Sequence, residues 1–399
     1  MKKFLSIVVV LIAMIGVLSG CGSSNNSAGT NQPAGSKTSA AGSSNTFKIG
    51  GTAPLTGSTA IYGVAVKQGA ELAVAEVNAK GGIQFELNYQ DDQQVAETAA
   101  NAYNTLKDWG MQIFLSSVTS SPGVATSALA AKDHVFGLTP SASSTDVTKG
   151  YNNIFQMCFA DPNQGTASAQ YMSKNKLGTK IAVIYRNDDV YSTGIYNTFK
   201  AEAEKLGLNI VSTTTFTDSS SNDFSVQIKD AQSKGADLIF LPIYYTPASL
   251  IFAQAAAINY KPKYFGVDGM DGILTLEGFD KNLAEGVMLL TPFSADAKDQ
   301  LTADFVSNYK QKYGQIPNQF AADGYDCIYA IYDAIQASHG AITPTMKASD
   351  IADQLIAEFA GGFTFSGVTG ANMTWNANGQ VSKEPKAVVI QNGVYVGMN

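Results

Sequence analysis

The regular alternation of strand-like and helix-like segments is the feature of this chain that most limits its fold. Short runs rich in β-branched and aromatic residues, such as Ile181–Tyr185 and Ile210–Phe216, are separated by longer stretches with helical periodicity, such as Ile195–Leu206. Strands that alternate with helices predict parallel sheets with helices on both faces. The alternation pauses near Phe159–Pro162 and begins again, so the sequence predicts an α/β protein with two doubly wound parallel-sheet lobes.

The length of the chain supports two lobes. The sequence has 399 residues, and the part from Phe47 onward exceeds the size at which a single hydrophobic core stops growing. Near the C-terminus the alternation gives way to two helical patterns, Ala297–Tyr313 and Ala321–His339, followed by short strand patterns at Lys386–Gln391 and Val394–Gly397.

The N-terminal segment predicts export. Two lysines precede the apolar stretch Phe4–Leu18, and Leu18-Ser19-Gly20-Cys21 follows. This order is typical of a signal peptide over residues 1–20, and the stretch is shorter than the roughly 20 residues that span a bilayer. The last four residues resemble the bacterial lipobox, which implies cleavage before Cys21, a lipid anchor (palmitate among its acyl chains) on the Cys21 thiol, and a protein held outside the cytoplasmic membrane. An ordinary signal peptide with a coincidental cysteine is the alternative.

Residues 21–46 predict a flexible linker, because Gly, Ser, Asn, Ala and Thr dominate the segment and no apolar periodicity appears.

Charge and cysteine content exclude several kinds of partner. The net charge of −7 argues against nucleic acid and against anionic lipid surfaces. Besides Cys21, the cysteines are Cys158 and Cys327, whose spacing does not require a disulfide, so two small buried hydrophobic residues are the better interpretation. Because no phosphate-binding glycine loop and no paired-cysteine metal motif appears, we expect no cofactor and no metal.

Polar residues follow the predicted strands, where ligands bind in open α/β sheets. In the first half these are hydroxyls at helix starts, and in the second half tyrosines and carboxylates; the segments are residues 116–122, 139–144, 187–191, 242–245 and 267–269. Hydroxyls and helix N-termini suit a carboxylate. An ammonium suits Asp268, and Tyr62, Tyr191 and Tyr244 suit an apolar side chain. The two halves together therefore predict a site for a zwitterion between the lobes.

Each of these residues also has an ordinary structural interpretation. Serines and threonines before helices serve as N-caps, Asp268 before a glycine suits a turn, and Tyr244 with Tyr245 suits core packing. An exported hydrolase is the rival class. It is disfavoured because neither His134 nor His339 lies at a strand end beside a serine, and no Gly-x-Ser-x-Gly or His-Glu-x-x-His motif occurs. We therefore expect a binding protein and not an enzyme.

The folded part resembles the branched-chain amino-acid-binding proteins of ABC transporters, of the leucine/isoleucine/valine-binding type. The residues that carry the resemblance are Pro54-Leu55-Thr56-Gly57, Tyr62-Gly63, Gly69-Ala70, Val77 to Ile83, Asp91-Asp92, Thr139 to Ser143, Gln164-Gly165, Ile181 to Tyr185, Tyr191, Asp223-Phe224 and Gly266 to Gly269. The resemblance implies a type I periplasmic binding protein, a Venus-flytrap of two lobes joined by a three-strand hinge. It implies that lobe 1 holds residues 47–161 and about 292–366, and lobe 2 residues 162–291 and about 367–399.

The resemblance also implies roles for individual residues. Ser120 and Ser143 would hold the α-carboxylate, with Thr119 as the alternative to Ser120. The carbonyl of Ala142 and the side chain of Asp268 would hold the α-ammonium. Three tyrosines and one phenylalanine would wall the pocket: Tyr62, Tyr191, Tyr244 and Phe320.

Two departures from the family pattern concern the ligand. Family members of this type carry Glu where this chain has Asp268, which moves the carboxylate by about one bond. Some members also have a disulfide in the first lobe, whereas the matching stretches here, near Gln94 and Thr119, contain no cysteine.

The expectation is a monomeric, lipid-anchored solute receptor of an ABC importer. It would capture an amino acid, with leucine, isoleucine or valine as the family default, and deliver it to permease subunits in the membrane. A component that feeds a sensor, or a receptor for amides, urea or aromatic acids, is the alternative.

Overall fold

The computed structural model describes residues 46–398, and the predictions for the signal peptide, Cys21 and the linker before Thr46 lie outside them. A first parallel sheet has the strand order β2-β1-β3-β4-β5. Its strands are β1 (Thr46–Ala53), β2 (Gln84–Asp91), β3 (Ile113–Leu115), β4 (Gly137–Thr139) and β5 (Ile154–Gln156). The connecting helices are α1 (Ala60–Ala79), α2 (Ala96–Trp109) and α3 (Ser120–Asp133).

The second half repeats this alternation around another sheet. Its helices are α4 (Asp161–Asn175), α5 (Val190–Lys205), α6 (Ser225–Ser233) and α7 (Tyr245–Ala257), and its strands are β6 (Ile181–Arg186), β7 (Ile210–Phe216), β8 (Leu238–Leu241), β9 (Lys263–Gly266) and β10 (Met288–Thr291). Three helices and a hairpin follow: α8 (Gln300–Tyr313), α9 (Gln319–Ala337), α10 (Ala348–Ala360), β11 (Phe365–Gly367) and β12 (Gly370–Met373).

The chain ends in the second sheet. β13 (Lys386–Gln391) and β14 (Val394–Gly397) complete seven strands in the order β14-β13-β10-β9-β8-β6-β7. The β10–β13 and β13–β14 pairs are antiparallel and the other pairs are parallel. The predicted α/β architecture with two mostly parallel sheets is therefore confirmed.

The chain passes between the two sheets three times. The passages lie between β5 and α4, between β10 and α8, and between β12 and β13. After the second passage, α8 and α9 pack against α1, which covers the first sheet. These passages agree with the three-strand hinge that the sequence predicts, whereas the exact lobe boundaries stay a prediction.

Two glycines set the close packing of α1 on α9. A Cβ atom on Gly69 would lie 1.9 Å from the carbonyl oxygen of Ala321, and one on Gly324 would lie 2.3 Å from that of Val66. Both distances are far below any real Cβ contact, so the two backbones approach as closely as only glycine permits.

Several expectations about single residues hold. Cys158 and Cys327 are buried and unpaired, as the sequence suggested. Burial raises the pKa of both thiols well above its ordinary value, so both remain protonated, uncharged core residues. Between Thr46 and Met398, no helix combines the length and the apolar character that crossing a membrane requires.

Candidate functional site

A small buried cavity lies where the carboxyl ends of the strands of the two sheets face each other. Its wall contains seven of the nine residues that the sequence and the resemblance predicted: Tyr62, Thr119, Ser120, Tyr191, Tyr244, Asp268 and Phe320. Val118, Ser141 and Gly269 complete the wall and were not predicted. The fold therefore brings together side chains that are far apart in the sequence.

Asp268 follows β9 and is the carboxylate in the wall of this cavity. It is buried, and its Oδ1 accepts a hydrogen bond of 2.6 Å from the Tyr191 hydroxyl. Burial raises the pKa of Asp268 to about 6, although the hydrogen bond from the Tyr191 hydroxyl and the neighbouring Gln164 side chain oppose the shift. Near neutral pH Asp268 is thus an anion in an apolar pocket, which a cationic partner stabilises.

Aromatic rings form most of the remaining wall. The ring centroids of Tyr62 and Phe320 are 4.4 Å apart, and Tyr191 stacks on Tyr244 at 4.8 Å. The Tyr62 hydroxyl donates to the carbonyl of Gly269 and accepts from the backbone N–H of Tyr245 at 3.2 Å. Tyr62 belongs to α1, so it joins the first half of the molecule directly to the loops of the second sheet.

The start of α3 supplies the hydroxyl side of the cavity. Helix α3 begins at Ser120, and Thr119 is its N-cap residue. The Ser120 hydroxyl accepts from the backbone N–H of Ser144 at 3.2 Å. The Thr119 hydroxyl is buried and has no hydrogen-bond partner among the described residues. Buried polar atoms are usually paired, so an unpaired hydroxyl in the wall of a cavity is unusual.

The loop after β4 does not present the residues that the resemblance implied. Ala142 and Ser143 lie outside the cavity wall, and Ser141 lines it instead. The carbonyl of Ala142 already accepts from Nε2 of Gln156 at 2.8 Å. Ser141 is two residues beyond the end of β4 and directly precedes Ala142 in the chain.

Ser143 faces a different set of buried polar groups. Its carbonyl accepts from the backbone N–H of Asp161 at 2.9 Å, and its hydroxyl is unpartnered within residues 46–398. The buried side chain of Asp161 lies beside this hydroxyl without forming a hydrogen bond of good geometry. Burial raises the pKa of Asp161 well above the ordinary value, and the neighbouring Ser143 hydroxyl opposes the shift. The roles predicted for Ala142 and Ser143 stay predictions.

The cavity is nearly closed. Its volume is about 10 Å³, close to that of a single water position. The Tyr191 hydroxyl bridges Asp268 and the backbone N–H of Gly269, at 2.6 and 2.9 Å. A molecule of amino-acid size can enter only when the walls move apart.

Direct hydrogen bonds hold the two sides together around the cavity. The Ser121 hydroxyl of α3 donates to Asp189 at 3.2 Å, and Thr246 of α7 donates to the carbonyl of Ser58 at 2.7 Å. Gln319, at the start of α9, donates through Nε2 to the carbonyl of Asp268 at 2.8 Å. The first two bonds join segments of the first and second halves of the chain, and the third joins α9 to the loop after β9, so opening the cavity requires breaking them.

Comparison with known proteins places this site in context. The family model described as periplasmic binding protein matches residues 46–393. The Leu/Ile/Val-binding protein homolog 3 of Brucella melitensis is 31% identical over 226 residues, which are 56% of this chain and 61% of that protein. The Leu/Ile/Val-binding protein BraC3 of Rhizobium johnstonii matches with the same identity and coverage. The chain thus spans about three fifths of the length of these relatives.

Solved structures agree with these matches over most of the chain. The leucine-binding protein LivK of Thermotoga maritima has a TM-score of 0.79 and 27% identity, covering 88% of this chain and 98% of its own. The substrate-binding protein LivJ of Streptococcus pneumoniae, solved with isoleucine, has a TM-score of 0.78 and 28% identity, covering 88% and 97%. The relatives are binding proteins, which confirms the expectation that the chain is not an enzyme. With two mostly parallel sheets around a cleft and a family model that matches nearly all described residues, this chain belongs to the periplasmic binding protein family.

Proposed function

We propose that this protein is the solute receptor of an ABC importer and that it captures a branched-chain amino acid, leucine, isoleucine or valine, between two lobes. The observation that carries the proposal is Asp268, a buried carboxylate in an aromatic cavity that faces the start of a helix. A carboxylate on one side and a helix N-terminus on the other match the two charges of an amino acid. The apolar rings between them match an apolar side chain.

The roles of the wall residues follow from this orientation. Asp268 pairs with the ammonium after the Tyr191 hydroxyl has moved away from it. The Thr119 hydroxyl and the first N–H groups of α3 bind the carboxylate, because helix starts leave N–H groups without intrahelical partners. The carbonyl of Ser141 takes the place at the ammonium that the resemblance implied for Ala142. Tyr62, Tyr244 and Phe320 surround the side chain.

The cellular setting is part of the proposal. The relatives' family name and the signal-peptide pattern support a site outside the cytoplasmic membrane, and the lipobox-like run supports a lipid anchor at Cys21. The lobes, residues 47–161 with about 292–366 and residues 162–291 with about 367–399, close on the ligand as a monomer. The closed form then docks on permease subunits.

A thermal-shift experiment tests the ligand. The purified protein, unfolded and refolded once to remove carried-over ligand, is heated with leucine, isoleucine, valine, benzoate, urea or acetamide. A branched-chain amino acid at 100 times its Kd should stabilise the protein by about 2.7 kcal/mol. A shift with benzoate or acetamide alone would overturn the amino-acid assignment.

Two variants separate the site from general effects on folding. Asp268→Asn should weaken leucine binding about 100-fold or more, because it removes the buried partner of a charge. Asp92→Asn is the matched control, since burial also raises the pKa of Asp92, to about 7, but Asp92 lies outside the cavity wall. Equal affinity in the wild type and in Asp268→Asn would contradict the assigned site.

A further inference from the structure

A second and larger cavity lies on the other side of the Asp268 loop. This rear cavity has a volume of about 490 Å³, far more than the closed cavity at Asp268. Cavities of roughly 300 to 1,000 Å³ are the usual size for small-molecule sites. Its size alone therefore permits a guest molecule in the conformation that the structure shows.

The walls of the rear cavity come from both halves of the molecule. One wall consists of Leu289 in β10 and Val394 to Val396 in β14, which belong to the second sheet. The facing wall consists of Val306 in α8 and Ile316 in the loop before α9. Phe293, in the second passage between the sheets, closes one end. Any guest that fills the cavity thus touches both sides of the hinge.

The chemistry of the lining selects an uncharged guest. Asp271 lines the cavity, but its two oxygens accept from the backbone N–H groups of Gly272 at 2.8 Å and Gln319 at 2.9 Å. Its carboxylate is therefore used within the protein and does not offer itself to an ammonium. The exposed Lys281 and Asp296 at the edge carry opposite charges, so the uncompensated charge of the lining is that of Asp271, which the two backbone N–H groups stabilise.

Among the polar residues of the lining, Asn318 offers a donor that can orient a guest. Asn318 lines the cavity, and its side-chain oxygen accepts from the backbone N–H of Ala321 at the start of α9. An amide that uses its oxygen in this way still has its NH₂ group as a donor. The matching guest has an apolar body and one oxygen acceptor, as in an alcohol, a phenol or a ketone.

A short path connects the two cavities. Gln319 donates through its backbone to Asp271 in the wall of the rear cavity, and through Nε2 to the carbonyl of Asp268 at the other cavity. Phe320, the next residue, lies in the wall of the cavity at Asp268. A guest in the rear cavity contacts both β14 and the loop before α9, so it holds them in the positions that they have in this structure. Gln319 reaches Asp268 in the same structure, so the guest stabilises the closed form of the cavity at Asp268.

We propose that the rear cavity is a second binding site, which takes a neutral molecule with an apolar body and one oxygen acceptor and whose occupation strengthens amino-acid binding. The effect on amino-acid binding rests on the proposed function, whereas the existence of the second site does not. Coupling between two sites is reciprocal, so the amino acid strengthens binding of the guest by the same factor.

The test uses 2-naphthol, a neutral aromatic alcohol whose fluorescence changes when it leaves water. Titrated into the purified protein, it should bind saturably, and saturating leucine should lower its Kd about threefold or more. Displacement of 2-naphthol by leucine would overturn the proposal, because it would place the probe in the cavity at Asp268. Binding of 2-naphthol without any effect of leucine, in a protein that leucine stabilises, would overturn the coupling.

Exposed residues on the two facing walls allow matched variants. Val394→Asp and Ile316→Asp each place a charge against the apolar guest. Val394 is 52% exposed and Ile316 is 55% exposed, so the fold should tolerate both substitutions. Each should raise the Kd of 2-naphthol about tenfold, whereas Val226→Asp, at a 74% exposed valine of α6 outside the cavity, should change it less than about twofold. Equal Kd values in all three variants would overturn the site. Naphthol binding in a protein that no amino acid stabilises would keep the site and remove only the proposed function.

Discussion

Asp268 makes amino-acid binding depend on pH, because the proposed ligand needs its negative charge. With the pKa of Asp268 at about 6, roughly nine in ten molecules carry the charge at pH 7 and one in ten at pH 5. Leucine affinity, measured by calorimetry, should therefore fall about tenfold between pH 7 and pH 5. Asp268→Asn should bind weakly and show no such slope, and a slope that persists in this variant would assign the titration to another group.

The pH dependence of the stability of the ligand-free protein also involves Asp268, but it has the opposite sign to that of leucine binding. The pKa of Asp268 is raised in the folded state, so its protonated form favours folding. This contribution is complete below the ordinary pKa of an aspartate, about 4, and is lost as the pH rises through about 6. Acid therefore stabilises this part of the empty protein while it weakens the binding of the ligand.

The packing of α1 on α9 depends on glycine at their contact. Gly69→Ala would place a methyl group against the backbone of Ala321, and the free energy of unfolding should fall by about 2–3 kcal/mol. Urea denaturation measures this loss. Gly397→Ala is the control, because a Cβ atom there meets nothing within 4 Å, and it should change stability by less than about 0.5 kcal/mol. Similar losses in both variants would show that the close approach is not what stabilises this pair.

Much of the element pattern could be predicted from the sequence because local periodicity determines it. β7, β13 and β14 match the predicted bounds, and β6 differs from them by one residue. The start of α5 was placed too late, at Ile195 and not at Val190, because its first turn holds Ser192, Thr193 and Gly194 without apolar periodicity. No element was predicted at α10, although four of its residues, Ile351, Ala352, Leu355 and Phe359, are buried.

The site was predictable only in part, since its wall is formed by residues distant in sequence. Strand ends pointed to Asp268 and the tyrosines, because the carboxyl ends of parallel strands share an edge. Ser141 was missed because a sequence pattern locates the end of a strand only to within about one residue. The positions of the residues in the following loop are then uncertain by one as well. Val118 and Gly269 were missed because their contribution is backbone and shape, which carry no signal in residue type. The hydrogen bond between Tyr191 and Asp268 depends on how far the cavity is closed. Local sequence patterns contain no information on this closure.

A buried ion pair fixes the third passage between the sheets. Lys383 lies in that passage and donates to Asp323 of α9 at 3.0 Å and to the Thr369 hydroxyl at 2.6 Å. Burial raises the pKa of Asp323 to about 7, and the neighbouring ammonium of Lys383 limits the rise. The pair therefore joins the last strands of the second sheet to the helix that covers the first.

Removing the ammonium should destabilise the whole molecule. Lys383→Met should lower the free energy of unfolding by about 3 kcal/mol at pH 8, where loss of the ammonium leaves Asp323 either ionised without a partner or forced to take up a proton, and by less at pH 6, below the pKa of Asp323 in the wild type. Urea denaturation at both pH values checks this. Adding Asp323→Leu should restore most of the loss, and Lys386→Met, at an exposed lysine nearby, should have little effect. A loss that is equal at both pH values would show that packing, and not charge, is responsible.

The order of the elements along the chain also determines when the molecule can fold. Helix α1 buries its inner face against α9, yet all of β6 to β10 lies between them in the sequence. A chain made from its N-terminus therefore cannot finish its first core until α9 has emerged, and contacts so distant in sequence form slowly. Until then the face of α1 that packs on α9 has no partner, so the unfinished chain exposes apolar surface throughout the synthesis of β6 to β10.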